Sequence, residues 1–254
     1  MHANRVQLRN DIGCCLAINV MAAMPYINSH YKWRNATSIQ HAKHYCRSPG
    51  LQRPSVGVLF LGGCLDTLAA IRSGFKPIWG TEICERKRTI WSLLTGKDTP
   101  DLGDTFKVNW SNQESPDLLI SGAPCTNYSS SGNTKGDEGE TGWMFVKQAD
   151  PILTLEPKAF VLEQVSNVVN VHSGRELKTL ISSLRKLYVI KTKVIHTIDH
   201  GDGTNRQRLF IVGLHRRLGQ AAYMFKFPKG QEGDPPPART YQGSGIRTST
   251  GTQK

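Results

Sequence analysis

The chain has 254 residues, enough for one domain or one domain with a small appendage, and carries a net charge of +12. Six cysteines (Cys14, Cys15, Cys46, Cys64, Cys84 and Cys125) include no paired C-x-x-C elements. A chain this long does not depend on disulfide staples, so a reducing, intracellular setting is expected. The basic surplus favours a polyanionic partner, nucleic acid first, although a simply soluble basic protein has the same balance.

In chain order, Arg5 and Arg9 precede an apolar stretch from Ile12 to Met24. It imitates a signal peptide, but it is too short to span a membrane and Asn19 interrupts it, so no membrane partner is expected. His41, His44 and Cys46 form H-x-x-H-x-C without an evident fourth ligand and read as an ordinary loop, so no metal is expected. Residues 31–54 are polar and basic, with Ser48-Pro49-Gly50, and read as a linker.

Regular alternation begins at Val56–Phe60, an apolar run closed by Gly62-Gly63 that predicts a buried strand and a tight turn. Leu65–Ser73 predicts a helix ended by Gly74, Pro77–Thr81 a strand, Glu85–Leu94 a helix, and Asp117–Ser121 a strand closed by Gly122. Gly142–Leu155 has a helical pattern, Ala159–Leu162 reads as a strand, and Leu177, Leu180, Ile181, Leu184 and Leu187 repeat at helical spacing. Val189–Ile198 and Leu209–Leu214 read as a closing hairpin pair. Strands alternating with helices predict an α/β fold, a doubly wound and mostly parallel sheet over residues 55–214. After Leu214 the pattern fades, and residues 215–254, with Pro235-Pro236-Pro237 and a Gly/Ser/Thr-rich end, read as a weakly structured tail.

In such a sheet, ligands bind outside the carboxyl ends of the strands. Glu82, Pro124-Cys125 and Glu163 all follow predicted strands. The Gly62-Gly63 turn admits a nucleotide-like cofactor, and Glu82, twenty residues on, stands where an acid holds ribose hydroxyls. Neither a complete G-x-G-x-x-G nor a G-x-x-x-x-G-K-[ST] occurs, which favours a nucleoside cofactor without phosphates and argues against an oxidoreductase. Cys125, in a Gly/Ser-rich rim, reads as a nucleophile if its thiol is acidified, or else as a small buried residue.

Taken together, these residues resemble the C5-cytosine-specific DNA methyltransferase family. Gly122-Ala123-Pro124-Cys125-Thr126 resembles its Pro-Cys-Gln nucleophile motif, Glu163-Gln164-Val165 its Glu-Asn-Val motif, and Asn205 to Gly213 its Gln-x-Arg-x-Arg strand. Leu59 to Gly62 resembles the cofactor motif, Leu102-Gly103-Asp104 the element that reads adenine, and Ser131 to Gly136 the closing loop. Departures from the family pattern are Cys64 and Leu65 for two glycines, Thr126 for Gln, Thr141 for Arg, Gln164 for Asn and Thr204 for Gln. Ile12 to Val20 is similar to the family's last motif, a helix that normally closes the C-terminus and completes the cofactor pocket. Residues 1–30 would then be a circularly permuted cofactor-pocket helix, bringing Cys14 and Cys15 near the pocket.

The resemblance implies a Rossmann-like fold dependent on S-adenosylmethionine (SAM), and methyl transfer to C5 of a flipped-out cytosine in DNA. It implies Cys125 as the nucleophile at C6, Glu163 on N3 and the exocyclic amine, and Arg206 and Arg208 at the cytosine O2. Phe60, Gly62, Glu82 (ribose), Ile83 (adenine face) and Asp104 (adenine amine) would hold SAM. A tRNA-modifying branch uses the same chemistry, so RNA remains a substrate to assay. The family's target-recognition domain has no counterpart among the patterned segments, which implies a separate recognition chain or, alternatively, a non-catalytic subunit that needs a partner. The expected compartment is the nucleus in a eukaryote and the cytoplasm in a bacterium.

Overall fold

The computed structural model describes residues 53–124, 143–200 and 206–229. Six strands build one sheet: β1 (Ser55–Leu59), β2 (Lys76–Gly80), β3 (Leu118–Ser121), β4 (Ala159–Val165), β5 (Tyr188–His196) and β6 (Gln207–His215), in the order β2-β1-β3-β4-β6-β5. The first four run parallel, whereas β6 is antiparallel to both β4 and β5. The apolar runs of β1 and β3 follow from burial on both faces, as a parallel interior strand requires.

Alternate side chains sort into two core layers. Val56, Val58, Leu118, Ile120, Val161 and Val212 pack on one face, with Ala70 of α1 (Leu65–Arg72) and Trp91 of α2 (Glu85–Thr95). Leu59, Leu119, Phe160, Leu162 and Ile211 pack on the other, with Phe145 of α3 (Trp143–Lys147), Ile152 of α4 (Ala149–Leu155) and Leu180 of α5 (Arg175–Leu184). Helices on both faces make the sheet doubly wound. On the second face, two glycines accept cross-strand aromatics. Gly57 lies under Trp79 and Gly213 under Phe160, and an added Cβ would fall 2.3 Å and 2.2 Å from those rings.

Three expectations change. The helical pattern at 142–155 breaks between α3 and α4 at Gln148, because Pro151 has no N–H to donate to the carbonyl four residues back. Gln148 is buried at the break, where it accepts from Ser121 Oγ at 2.5 Å and donates to the Phe145 carbonyl at 2.9 Å. The strand expected at 159–162 runs on to Val165, so Glu163 lies within it rather than after it. The parallel partner β3 stops opposite Leu162, but the antiparallel partner β6 carries the ladder through Glu163, Gln164 and Val165. Past Leu214 the chain keeps packing: Ala222 of α6 (Ala221–Met224) and Phe225 are buried in the first core layer.

At the amino end of the sheet, Asp117 accepts the Ser55 N–H at 2.7 Å and pairs with Lys158 Nζ at 2.6 Å, joining the starts of β1, β3 and β4. The proposed permuted helix and nearly all of the linker lie outside the described residues. The linker's last arginine, Arg53, donates to the carbonyls of Gly74 and Phe75.

Candidate active site

The carboxyl ends of β1 and β2 shape the first half of the site. After β1 the backbone takes positive φ at Phe60 (53°), Gly62 (51°) and Cys64 (58°), curling the loop tightly before α1 begins. Glu82, two residues past β2, is buried, and it fastens this loop. One carboxylate oxygen accepts the Gly62 N–H and the other the Cys84 N–H, both at 2.9 Å. Thr81 Oγ1 accepts the Phe60 N–H at 3.2 Å and meets Thr105 Oγ1 at 2.7 Å. Ile83 is 73% exposed beside Glu82 and offers an apolar surface there. Phe60, Phe106 and Trp143 form a chain of tilted rings with centroids 5.7 and 4.3 Å apart.

Asp104 reaches the same edge through backbone pairing. Leu102 N–H donates to the Gly80 carbonyl at 2.8 Å, so residues 100–102 extend alongside the end of β2. The Asp104 carboxylate accepts the Phe106 N–H at 3.0 Å and lies 3.8 Å from Lys107 Nζ.

The second half of the site is made by β4 and β6. Glu163 pairs across the ladder with Phe210, and Val165 pairs with Arg208, so Glu163 and Arg208 are diagonal neighbours on one face. Arg208 Nε lies 2.6 Å from Glu163 Oε1. Burial pushes the Glu163 carboxyl above the ordinary carboxylate range, Arg208 and Arg206 pull it down, and the negative charge of Asp66 pushes it up. Arg206 precedes β6, and its backbone exchanges hydrogen bonds with Thr197 (N–H to Oγ1 at 3.0 Å, carbonyl from N–H at 2.9 Å).

The two halves meet at Gly122, just past β3. A Cβ there would lie 3.6 Å from both Asp66 Oδ2 and Glu163 Oε2. Pro124 follows on the exposed rim. Cys125, Thr126, the loop at 129–142 and Thr204 lie outside the described residues. Among the described residues, no group of three His, Cys, Asp or Glu side chains could hold a metal ion, and no helix is long and apolar enough to cross a membrane.

A family model described as C-5 cytosine-specific DNA methylase matches residues 60–250. The chain belongs to that family. Among its relatives, the Type II methyltransferase M.NgoBI of Neisseria gonorrhoeae is 30% identical over 153 residues, covering 58% of this chain and 48% of that protein. M.HhaI of Haemophilus parahaemolyticus is 30% identical over 172 residues, covering 67% and 51%. The chain therefore spans about half the length of the curated relatives it matches. A solved protein encoded within an E. coli prophage and described as a putative DNA modification methyltransferase shares the fold, with a TM-score of 0.54 at 20% identity over 65% of this chain and 47% of that one.

In this member of the family the structure brings Phe60, Gly62, Glu82, Ile83 and Asp104 to one end of β1 and β2, and Glu163 and Arg208 into direct contact. Sequence reasoning missed Asp66, which lies in the first turn of α1, and Gln148 behind β3. An acid at a helix start carries its own explanation in the helix dipole, so nothing in the sequence directs attention to its place beside Gly122.

Proposed function

We propose that this chain is the catalytic part of a DNA (cytosine-5) methyltransferase acting on a flipped-out cytosine through a covalent adduct on Cys125. The observation that carries the reading is the Glu163–Arg208 pair, 2.6 Å apart, beside the strand end that Cys125 follows, in a chain of this family.

The residues at the ends of β1 and β2 fit SAM. Each oxygen of Glu82 accepts one backbone N–H, leaving lone pairs for two vicinal hydroxyls. Ile83 and Phe60 supply apolar surface for a purine, and Asp104 an acceptor for its amine. When bound, SAM supplies the methyl group.

Cytosine C5 is a weak nucleophile. The Cys125 thiolate adds to C6, and the electron pair moves toward N3, where the Glu163 carboxyl donates a hydrogen bond and accepts one from the exocyclic amine. Arg208 holds the Glu163 carboxyl in place, and Arg206 and Arg208 offer donors to the cytosine O2. Once C5 has been methylated, loss of its proton to a base, water in the simplest case, expels the thiolate. Flipping the base out of the duplex costs a few kcal/mol, which phosphate contacts from the basic surface help to offset.

We assign residues 1–30, with the motif at 12–20, to the cofactor side as the permuted pocket helix; the exposed apolar side chains of Leu65, Ile83, Leu93 and Leu94 support this placement. Target recognition is assigned to a separate element, supplied by another chain or by a further stretch of this one. Trapping with an oligonucleotide containing 5-fluorocytosine tests the whole reading, since fluorine at C5 blocks elimination. A SAM-dependent adduct in the wild type and none in Cys125→Ser is expected on DNA. An adduct on RNA alone would move the substrate to RNA, and none on either would leave a partner-dependent subunit.

A further inference from the structure

We propose that Asp66 is a positioning residue for Glu163: facing it across the bare Cα of Gly122, the Asp66 carboxylate holds Glu163 as the neutral acid that donates to cytosine N3. The proposal rests on the reading above that Glu163 meets the flipped base.

The geometry sets the two carboxyl groups against each other. Asp66 comes from the first turn of α1 and Glu163 from the middle of β4. Asp66 Oδ2 and Glu163 Oε2 each lie 3.6 Å from the point a Gly122 side chain would occupy, so they are no farther apart than twice that distance. Glycine at 122 puts no side chain between them. The other Glu163 oxygen, Oε1, is already held by Arg208 at 2.6 Å, so the oxygen turned toward Asp66 is the one available to carry a proton. Two carboxylates at close range resist ionising together, and one of them keeps the proton. Among the described residues, the charged groups facing Glu163 are Asp66 from α1, and Arg208 and Arg206 from β6 and its approach. Burial and Asp66 favour the acid, and the two arginines oppose them.

This balance suits a proton that must be given and taken back. The neutral acid has one O–H to donate and one oxygen left to accept, matching the N3 acceptor and the amine donor of cytosine; the ionised form accepts only. As the Cys125 sulfur–C6 bond forms and the C5–C6 double bond opens, the electron pair reaches N3 and draws the Glu163 proton. Glu163 is then a carboxylate beside Arg208. When the sulfur leaves, the proton returns, and Asp66 favours that return.

The test is a pH titration of the Glu163 carboxyl carbon by NMR in the 13C-labelled full chain, assigned with Glu163→Gln. Asp66→Asn keeps the shape and removes the charge. The Glu163 midpoint is expected to fall by about half a pH unit or more, the scale of one nearby like charge, and Asp66→Glu is expected to restore it. If Asp66→Asn does not fold, Asp66→Ser takes its place. An unchanged midpoint would overturn the proposal. The second readout is the single-turnover rate of methyl transfer to duplex DNA against pH. The alkaline limb should move to lower pH in Asp66→Asn, and a limb that stays put while the NMR midpoint moves also overturns it. A wild type that transfers no methyl group, with the NMR shift intact, would instead sink the functional reading while leaving the carboxyl pairing standing.

Discussion

The parallel and antiparallel halves of the sheet build their parts of the site by different means. At β1 and β2 the functional groups stand beyond the strands, in a loop curled by positive φ at Phe60, Gly62 and Cys64 and fastened by backbone N–H groups on Glu82. At β4 and β6 they stand inside the ladder, where Glu163 and Arg208 are set by strand register. A loop held by one carboxylate can adapt around a cofactor that comes and goes. A pair fixed by register keeps a carboxyl group and a guanidinium at one distance whether or not the carboxyl carries its proton. The antiparallel partner makes this second arrangement available, because it carries β4 three residues past the end of its parallel neighbour.

The sharpest way to break the comparison is Arg208→Met. Glu163 would lose its cation while staying half-buried, and single-turnover methyl transfer is expected to fall roughly 10²- to 10³-fold, the usual effect of removing one fixed donor. SAM affinity, belonging to the other half, should stay unchanged in the same protein; an equal loss of binding would erase the division. Next comes Gly213→Ala, whose Cβ would meet the Phe160 ring at 2.2 Å between two paired strands. A loss of about 2–3 kcal/mol is expected from urea midpoints, as for overpacked cores. Gly57→Ala, against Trp79 of the outer strand β2, should lose less, and the reverse order would mean that β2 is the stiffer edge. Glu82→Gln is expected to weaken SAM about tenfold by calorimetry, because an amide nitrogen would then face one of the two N–H groups, a loss of ~1.4 kcal/mol.

The smallest expected effect lies away from the site. His215 accepts the Arg217 N–H on Nδ1 at 3.1 Å, and burial, reinforced by the Arg217 charge, holds its pKa below the ordinary value against the pull of Glu156. The unfolded chain therefore takes up the proton first. Stability from this group is complete above the ordinary histidine value of about 6.5 and is lost as pH falls through the lower folded value. His215→Gln keeps an acceptor for Arg217 and should flatten the fall of melting temperature with acid. His200 is shifted the same way, chiefly by burial, so some slope should remain. A slope identical to wild type would mean that His215 does not titrate with unfolding.

Much of the fold was legible because local chemistry marks it. The run from Val56 to Leu59 and its glycine turn, the helix closed by Gly74, and the acid after β2 all stand where the pattern places them. What escaped depends on partners distant in sequence. Nothing near Glu163 announces that β6 will extend its strand, and nothing near Asp66 points to a carboxyl group on β4. The break at Gln148 was readable from Pro151, which the apolar spacing around it masked. Phe225 escaped because the apolar run at 221–227 is too short to show a period, although Phe225 is fully buried.

That last packing has a consequence for solubility. β5 is an outer strand, bonded to β6 on one side, and its Lys191 amine reaches the carbonyls of Tyr223 and Phe225 at 2.9 and 2.7 Å. The segment after β6 is thereby tied onto the face of the sheet at its outer strand, where Ala222 and Phe225 cover apolar side chains of the first core layer that would otherwise meet water. A chain cut back to Leu214 would keep every candidate residue of the described site. It would also uncover Val189, Val212 and the apolar face around them, and that loss would be read in aggregation long before it was read in chemistry.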